Sequence, residues 1–411
     1  MHIKILGSGQ EVGRSAILLS DKKESIVMDY GVKINPEPPS YPQKEKAGAM
    51  IISHAHLDHC GAAPIMMSKK IPVFMNDVTL ELSMLLIKDS VKVAMKNGYG
   101  VPFSKNDEKR LVRQTKIVSY NQKFRAAHFD CFLYDSGHIP GSSSIFVNGK
   151  KKVFYTADIQ TKNSNLLKKC LLPQKTDVLI TESTYSYKNQ PERIKEEQRF
   201  IQAVEESLAK NEPVLIPVFA IGRAQEILLI LEKYSKKIAI DGMAKTASEI
   251  IEDYGAYLND AKKLRNILSH AHFIKSREER EKALKNHSII ISSAGMLGGG
   301  PAVHYLRELS KSRESKVLFT GFLVEDSPGR NLIETKIFQN AEEKFKVHCD
   351  LQQFELSAHA DHKGLLSIIE KTKPETVICV HGDRTDEFAK EIEEKYNIQA
   401  FGPKNGEDIK V

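Results

Sequence analysis

The chain has 411 residues, of which 41% are hydrophobic and 27% charged, as in a globular protein too long for one ordinary core. Its longest apolar runs fall far short of the roughly 18 residues that cross a membrane, and the N-terminus has no signal-peptide pattern. The five widely spaced cysteines exclude a disulfide framework and a CxxC zinc site, while the net charge of +7 allows a polyanionic partner without requiring one. We therefore expect a cytoplasmic protein of two domains with no membrane partner.

The beginning of the chain predicts short strands, at His2–Leu6, Ser15–Leu19 and Glu24–Asp29. Gly7–Arg14, between the first two strands, is rich in glycine. It lacks the G-x-G-x-x-G spacing and a strand follows it, so it predicts a turn rather than a dinucleotide-binding loop.

The most informative stretch is His54–His59, which has the pattern H-x-H-x-D-H directly after the apolar run Ala49–Ile52. A turn between a strand and a helix can aim several side chains at one point, whereas a strand alternates them between its faces. Imidazoles and a carboxylate suit zinc, and this many ligands suggests two ions. A histidine cluster on a solvated loop is the alternative, but only 14 histidines occur in the whole chain.

Further along, three predicted strands each end near a polar side chain that could join this site. Phe129–Tyr134 leads to His138, Val153–Thr156 leads to Asp158, and Asp177–Thr181 leads to Glu182. Functional sites in layered α/β folds are commonly built at strand ends.

The pattern of predicted secondary structure changes near Ile194. From there, helices and strands alternate as far as Gly321. Such alternation predicts a mostly parallel sheet covered by helices. The earlier pattern, in which polar residues follow predicted strands, then returns. His359 lies in the segment Leu356–His362, and His381 follows the strand Thr376–Val380. The chain therefore predicts one α/β domain that is interrupted by another.

Counting the strand-end groups gives two ligand sets that share Asp158: one zinc held by His54, His56, His138 and Asp158, and a second by Asp58, His59, Asp158 and His381. Two ions can clamp a phosphoryl group, and zinc lowers the pKa of its bound water towards roughly 7. Asp29 is expected to orient a histidine rather than to bind metal. Glu182 beside His359 would fix the tautomer of that imidazole, which could then protonate a leaving alkoxide, although nothing local pairs these two residues.

With these residues the chain resembles the metallo-β-lactamase ribonucleases that carry a β-CASP insertion. It is similar to archaeal relatives of the endonuclease subunit of the cleavage and polyadenylation specificity factor, and RNase J is more distant. The family motifs match at Asp29, His54–His59, His138, Asp158, Glu182, His359 and His381. The resemblance implies an αββα sandwich formed by residues 1–186 and 344–411, interrupted by an α/β β-CASP domain with a mostly parallel sheet at residues 187–343.

The resemblance also implies a function. Members hydrolyse RNA phosphodiester bonds with zinc, as endonucleases that in some cases are also 5′→3′ exonucleases, in RNA processing or decay. For this chain we expect two zinc ions, single-stranded RNA as the partner, and an assembly compatible with a homodimer.

Two further turns are candidates for substrate binding. Phe219–Glu226, with Arg223 and Gln225, is a strand end that opens a helix, where an arginine and backbone N–H groups could hold a phosphate. Ile291–Gly300, with Ser293 and Gly295, is glycine-rich and permits close approach of a ligand to the backbone. Ordinary strand–helix turn chemistry is the alternative for both.

Rival functions remain within the same superfamily. Thioester and lactone hydrolases share the scaffold but have no use for an insertion of this length, and the di-iron proteins place a carboxylate where His56 lies. A DNA-repair nuclease would lack the histidine at position 381. An inactive RNA-binding paralogue would have lost metal ligands, and all seven are present here.

Overall fold

A computed structural model describes residues 1–22, 24–35, 38–68, 70–286, 289–321, 323–324 and 327–411. The chain divides into two compact units. The first unit contains Met1–Asn163, Lys168–Asn189 and His359–Val411, and the second contains Ser164–Leu167 and Gln190–Ala358.

The described strands are, in chain order, β1 (His2–Gly7), β2 (Ala16–Asp21), β3 (Glu24–Met28), β4 (Ala49–Ile51), β5 (Val73–Met75), β6 (Thr115–Ile117), β7 (Phe124–Ala126), β8 (Phe129–Asp135), β9 (Ser143–Asn148), β10 (Lys152–Tyr155), β11 (Val178–Glu182), β12 (Val214–Pro217), β13 (Ile238–Asp241), β14 (His272–Phe273), β15 (Ile289–Ser292), β16 (Lys316–Phe319), β17 (Ile337–Gln339), β18 (Lys344–Lys346), β19 (Asp350–Gln353), β20 (Thr376–Val380), β21 (Gln399–Phe401) and β22 (Asp408–Lys410).

The described α-helices are α1 (Leu57–Cys60), α2 (Asp77–Lys96), α3 (Lys105–Gln114), α4 (Arg193–Ala209), α5 (Arg223–Ile230), α6 (Met243–Asp253), α7 (Ala261–His270), α8 (Arg277–Asn286), α9 (Pro301–Leu309), α10 (Pro328–Thr335), α11 (His362–Thr372) and α12 (Thr385–Tyr396). Short 3-10 helices occur at Ala63–Ser68, Glu232–Lys237 and Gly255–Tyr257.

Within the described residues, the first unit contains two seven-stranded sheets, with the strand orders β22-β1-β2-β3-β4-β5-β6 and β21-β20-β11-β10-β9-β8-β7. The two sheets bury their inner faces together. On β1, Ile3 and Ile5 point into this shared core while Leu6 points to the opposite face, as the two-residue period of a strand requires. Ile145 and Ile378 reach the same core from the second sheet. Each fully buried aliphatic side chain stabilises such a core by about 1.5–3 kcal/mol.

Helices cover the outer face of each sheet. One outer core joins Val27 and Val73 of the first sheet to Ile87 of α2 and Leu111 of α3. The other joins strands β11 and β20 to apolar residues of α11 and α12, among them Leu365, Ile369, Phe388 and Ile392. Since the central strands are buried on both faces, their sequences are nearly continuous apolar runs. The first unit is thus the αββα sandwich that the motifs predicted.

The second unit is built on a sheet with the strand order β14-β13-β15-β12-β16-β19, in which the described pairs are all parallel. The prediction of a mostly parallel sheet is therefore confirmed. Residues 344–358 were expected to lie in the returning part of the first domain, but they belong to the second unit. The physical reason is that β19 extends the sheet of the second unit by pairing with β16.

No helix among the described residues is both long enough and apolar enough to cross a membrane.

Candidate metal centre

The candidate ligands lie at one edge of the sandwich because the strands that precede them run in the same direction. β3, β4 and β5 are parallel in the first sheet, and β10, β11 and β20 are parallel in the second. β8 runs antiparallel to β9, which runs antiparallel to β10, so β8 also points to this edge. His54 follows β4, His138 follows β8, Asp158 follows β10 and His381 follows β20.

Three of these strand ends turn through a left-handed backbone conformation at a residue other than glycine. The φ angles are 60° at Asp29, 47° at Ala157 and 53° at His381. Such a residue costs about 1–3 kcal/mol and persists only where the surrounding structure enforces it. The sharp turns aim the neighbouring polar side chains inward across the strand ends.

The motif loop itself is held by a close backbone contact. Ser15 N donates to Asp58 O at 2.7 Å, and Tyr30 N donates to His59 O at 2.8 Å. Gly31 packs against this loop so tightly that a Cβ there would lie 1.7 Å from Asp58 O. Only glycine allows that approach, so Gly31 helps to hold the loop in place.

The first ligand set converges on one oxygen of Asp158. His54 Nε2 lies 3.4 Å and His138 Nε2 lies 3.5 Å from Asp158 Oδ2. His138 Nε2 is also 3.1 Å from His56 Nδ1. The second set faces the other oxygen: His59 Nε2 is 3.1 Å and His381 Nδ1 is 3.3 Å from Asp158 Oδ1.

Asp58 completes the second set, with Oδ2 at 3.1 Å from His381 Nε2. The donor atoms within each set all lie within 4.8 Å of one another. Donors that are about 2.0–2.2 Å from a tetrahedral ion must lie a little over 3 Å from each other, which agrees with these separations. Asp158 is common to both sets, and each of its two oxygens faces one of them.

The burial of these donors provides a test of whether a metal fits. His54 Nε2 and Asp158 Oδ1 are buried and, within the described part of the chain, have no hydrogen-bond partner. An unsatisfied buried polar atom costs about 1–3 kcal/mol. A cation among these donors would remove that cost, so the residues present fit a metal centre.

The protonation of the donors favours the same conclusion. Burial lowers the pKa of His54, His56 and His138, and repulsion by neighbouring histidines lowers it further, for His56 to about 3. These imidazoles are therefore neutral, which is the form that binds metal. Burial alone would raise the pKa of Asp158, but the charges of His59 and other histidines hold it well below its usual range.

His59 differs from the other histidines. Burial lowers its pKa, but the attraction of Asp158 and Asp29 is stronger and raises the pKa well above the usual value. Asp29 accepts a hydrogen bond from His59 Nδ1 at 2.7 Å. Ser53 and Tyr155 also donate to Asp29, and the strand pattern gave no signal for either residue.

Glu182 and His359, which nothing local in the sequence pairs, are in contact. His359 Nδ1 lies 2.9 Å from Glu182 Oε2 and 3.1 Å from Oε1. The imidazole of His359 also lies beside that of His138, with 4.6 Å between the ring centroids. Burial lowers the pKa of His359, but Glu182 and Asp158 outweigh burial and raise it to about 9. The side chain remains 18% exposed and can therefore meet a substrate.

The candidate substrate residues lie in the second unit, at the carboxyl ends of the neighbouring strands β12 and β15. Arg223 is the first residue of α5. Its side chain lies close to Gly321, where an added Cβ would be 3.8 Å from Arg223 Nε. Gly295 packs on the turn after β12, since a Cβ there would lie 3.0 Å from Phe219 N. Ser293 Oγ accepts from Met243 N at 2.9 Å.

Gln225 has a different role from the substrate contact expected from the sequence. Its side chain is fully buried, accepts from Gly222 N at 2.7 Å and donates to Ala220 O and Ser248 Oγ. Both ends of the amide are satisfied within the protein, so Gln225 stabilises the turn that presents Arg223 and has no surface left for a substrate.

An αββα sandwich with histidines and carboxylates at one edge defines a metallo-hydrolase of the metallo-β-lactamase class. Sequence models of known families agree with this. The Beta-Casp domain matches residues 224–332, and a Zn-dependent metallo-hydrolase RNA specificity domain matches residues 344–403. A third model, described as anti-Pycsar protein Apyc1, matches residues 1–202.

Archaeal proteins are similar to this chain over its whole length. A probable RNase, MJ4, of Methanocaldococcus jannaschii is 36% identical over the whole of both chains. RNase aCSPSF2 of Saccharolobus solfataricus is 33% identical over the whole of this chain and 85% of its own length. The transcription termination factor FttA of M. jannaschii is 30% identical, with 100% and 72% of the two chains covered. The chain therefore belongs to the metallo-β-lactamase/β-CASP ribonuclease family.

Among solved structures, a protein of unknown function from Enterococcus faecalis V583 has the same fold, with a TM-score of 0.62, 14% identity, and coverage of 100% of this chain and 99% of the other.

Proposed function

We propose that this metal-dependent ribonuclease holds two zinc ions and cuts single-stranded RNA internally, with additional 5′→3′ exonuclease activity, in cytoplasmic RNA processing or decay. The observation that carries the proposal is the position of Asp158, whose two carboxylate oxygens face two different ligand sets. The complete ligand sets favour an active enzyme over an inactive RNA-binding paralogue.

Two groups of residues have separate proposed roles, one in holding the metal ions and the other in proton transfer. His54, His56, His138 and Asp158 would hold one ion, and Asp58, His59, Asp158 and His381 would hold the other. When bound, two such ions supply a nucleophile at neutral pH and neutralise charge that develops on the phosphoryl oxygens. Asp29 keeps His59 in the tautomer whose Nε2 faces this centre.

His359 is suited to deliver the proton that the leaving oxygen requires. Glu182 Oε2 lies 2.9 Å from Nδ1 of this histidine and would orient its ring for proton transfer. The carboxylate also accepts from Ile159 N at 2.8 Å, so it is fixed and holds the ring in one orientation. Protonation of the leaving oxygen by a positioned acid commonly contributes about 10²–10⁴ in rate.

In the second unit, Arg223 with the turns at Ser293 and Gly295 is proposed to bind backbone phosphates of the RNA. The support is local: an arginine opens a helix at the carboxyl end of a parallel strand. The alternative, ordinary turn chemistry, predicts no effect of Arg223 on RNA affinity.

The test is an assay with RNA labelled at either end and carrying a monophosphate or triphosphate at its 5′ end. Internal cuts give matching product ladders from both labels, whereas 5′→3′ digestion releases mononucleotides from the 5′ label. Protein carrying Asp158→Ala, purified in the same way, controls for contaminating nucleases. Intact RNA in the presence of zinc-loaded wild-type protein would overturn the proposal.

A further inference from the structure

A short segment after Asp158 is joined to the segment that carries His359 by three contacts. Ala360 N donates to Ile159 O at 2.6 Å. Gln160 Nε2 donates to His359 O at 2.9 Å. Lys162 Nζ lies 2.6 Å from Asp361 Oδ2. We refer to residues 159–162 as the 159–162 segment.

The 159–162 segment is itself held rigidly. Gln160 N donates to Ser136 O at 2.9 Å, and Cys170 N donates to Gln160 O at 2.8 Å. The side-chain oxygen of Gln160 accepts from Lys162 N at 3.0 Å, and the residue is only 5% exposed. These bonds fix the side-chain amide of Gln160, so that its Nε2 group is held against the carbonyl oxygen of His359.

His359 needs such support because it lies outside regular structure. Its segment connects β19 to α11, and the helix begins only at His362. Glu182 binds the ring of His359, and the bonds to Gln160 and Ile159 hold both polar atoms of the peptide group that joins His359 to Ala360. The same short stretch therefore fixes the backbone of His359 and, through Ile159 N, the carboxylate that binds its ring.

We propose that Gln160 is a positioning residue for His359, and that its side-chain N–H group sets the distance of that imidazole from the leaving oxygen of the RNA. The inference rests on the proposed role of His359 in ribonucleolysis. A displacement of a catalytic group by about 1 Å can reduce the rate by about a hundredfold. Removing the donor should therefore slow turnover without weakening RNA binding.

Two substitutions isolate the donor. Gln160→Glu keeps the size of the side chain and the oxygen that accepts from Lys162 N, and it replaces the N–H group that binds His359 O with a carboxylate oxygen that cannot donate when ionised. Gln160→Met has a similar length and removes both polar atoms. Gln353→Met is the matched control, because it removes the same type of bond, from Gln353 Nε2 to Gly321 O at 3.0 Å, in the second unit.

Two substrates separate a loss of positioning from damage to the metal centre. RNA has an alkoxide leaving group that needs a proton, whereas bis(p-nitrophenyl) phosphate has a nitrophenolate leaving group that does not. For both Gln160 variants we expect kcat on RNA to fall about ten- to a hundredfold with KM unchanged. Their rates on the nitrophenyl ester, their zinc content and their melting temperatures should match those of the wild-type protein and of Gln353→Met.

The outcomes are distinguishable. Unchanged kcat on RNA in both Gln160 variants would overturn the inference and leave the proposed function intact. Equal losses on the two substrates, or loss of zinc, would also overturn it, because Gln160 would then act on the metal centre. Wild-type protein that hydrolyses the nitrophenyl ester but not RNA would instead overturn the proposed function and, with it, the inference.

Discussion

His59 Nδ1 donates a hydrogen bond to Asp29 Oδ2 at 2.7 Å, and the opposite nitrogen of the ring, Nε2, lies 3.1 Å from Asp158 Oδ1. Asp29 is itself held by Ser53 N at 2.7 Å and by the hydroxyl of Tyr155 at 3.1 Å. One buried carboxylate thus connects the first sheet, the second sheet and the ring that faces the candidate metal centre.

The first prediction concerns this carboxylate. Asp29→Asn should lower metal affinity by about 10–100-fold, because the amide no longer selects the tautomer of His59 or strengthens its basicity. Competition with a chromogenic zinc chelator measures the change. Asp130→Asn, which removes a carboxylate paired with Lys123 on the surface of the same unit, is the control. Equal affinities for Asp29→Asn and wild-type protein would contradict the role assigned to Asp29.

Much of this site was predictable because its residues follow apolar runs. The runs before His54, Asp158 and His381 predict strands, and polar residues at the ends of parallel strands are expected to meet. The pairing of Glu182 with His359 could not be derived in this way, since 177 residues separate the two and only the tertiary fold brings them together.

Other features of the structure could be predicted from the sequence only weakly or not at all. Left-handed backbone at Asp29 and Ala157 is enforced by surrounding contacts, so the identity of those residues does not predict it. Helix α3 was missed because nine of its ten side chains are not fully buried, although Ser104 and Asp107 form the capping box that marks its start. The interior bonds of Gln225 depend on Ser248, a residue 23 positions away.

The second prediction concerns metal removal. Stripping with a chelator, or the substitution Asp158→Ala, should abolish RNA cleavage. Chelation should also lower the melting temperature, because a ligand at about 100 times its Kd stabilises a fold by about 2.7 kcal/mol. Scanning calorimetry should show this loss with and without added zinc. Elemental analysis of the wild-type protein should give close to two zinc ions per chain, and active protein with no bound transition metal would contradict the assignment.

The third prediction concerns His359. His359→Ala should slow RNA cleavage by about two to four orders of magnitude, as expected when a general acid is lost. Zinc content should be unchanged, because His359 is proposed to transfer a proton and not to hold an ion, and Nδ1 of its ring lies 2.9 Å from Glu182 Oε2. Single-turnover rates and elemental analysis of the same preparation provide the two measurements. A variant that loses zinc would identify His359 as a ligand, since Asp158, Glu182 and His359 also lie close enough to hold an ion.

The fourth prediction concerns the second unit. RNA affinity should fall as salt rises, and Arg223→Ala should weaken binding to all sequences and reduce the slope of that dependence. Titrations of several RNAs at three salt concentrations measure both quantities. Arg265→Ala is the control, because this exposed arginine is paired with Glu252 in the same unit. A loss of affinity confined to certain sequences would indicate base readout instead of a phosphate contact.

The last prediction is the choice between RNA and DNA, and it depends on His381. The imidazole lies between the two carboxylates of the second ligand set, with Nε2 at 3.1 Å from Asp58 and Nδ1 at 3.3 Å from Asp158. Its backbone N–H donates to Ser8 O at 2.8 Å, so the residue is held at the strand end. Without this ring the second set would retain three protein ligands and hold an ion loosely. The rate should therefore depend on His381.

The 2′-hydroxyl group gives a protein the means to distinguish RNA from DNA. We expect rapid cleavage of single-stranded RNA and slow cleavage of DNA with the same sequence. His381→Ala should lose RNA cleavage together with part of the bound zinc. His270→Ala should change neither, because His270 lies exposed at the end of α7 in the second unit. Matched oligonucleotides and elemental analysis provide the measurements. Equal cleavage of the two oligonucleotides would overturn the RNA assignment and favour a DNA-repair nuclease, in spite of the histidine at position 381.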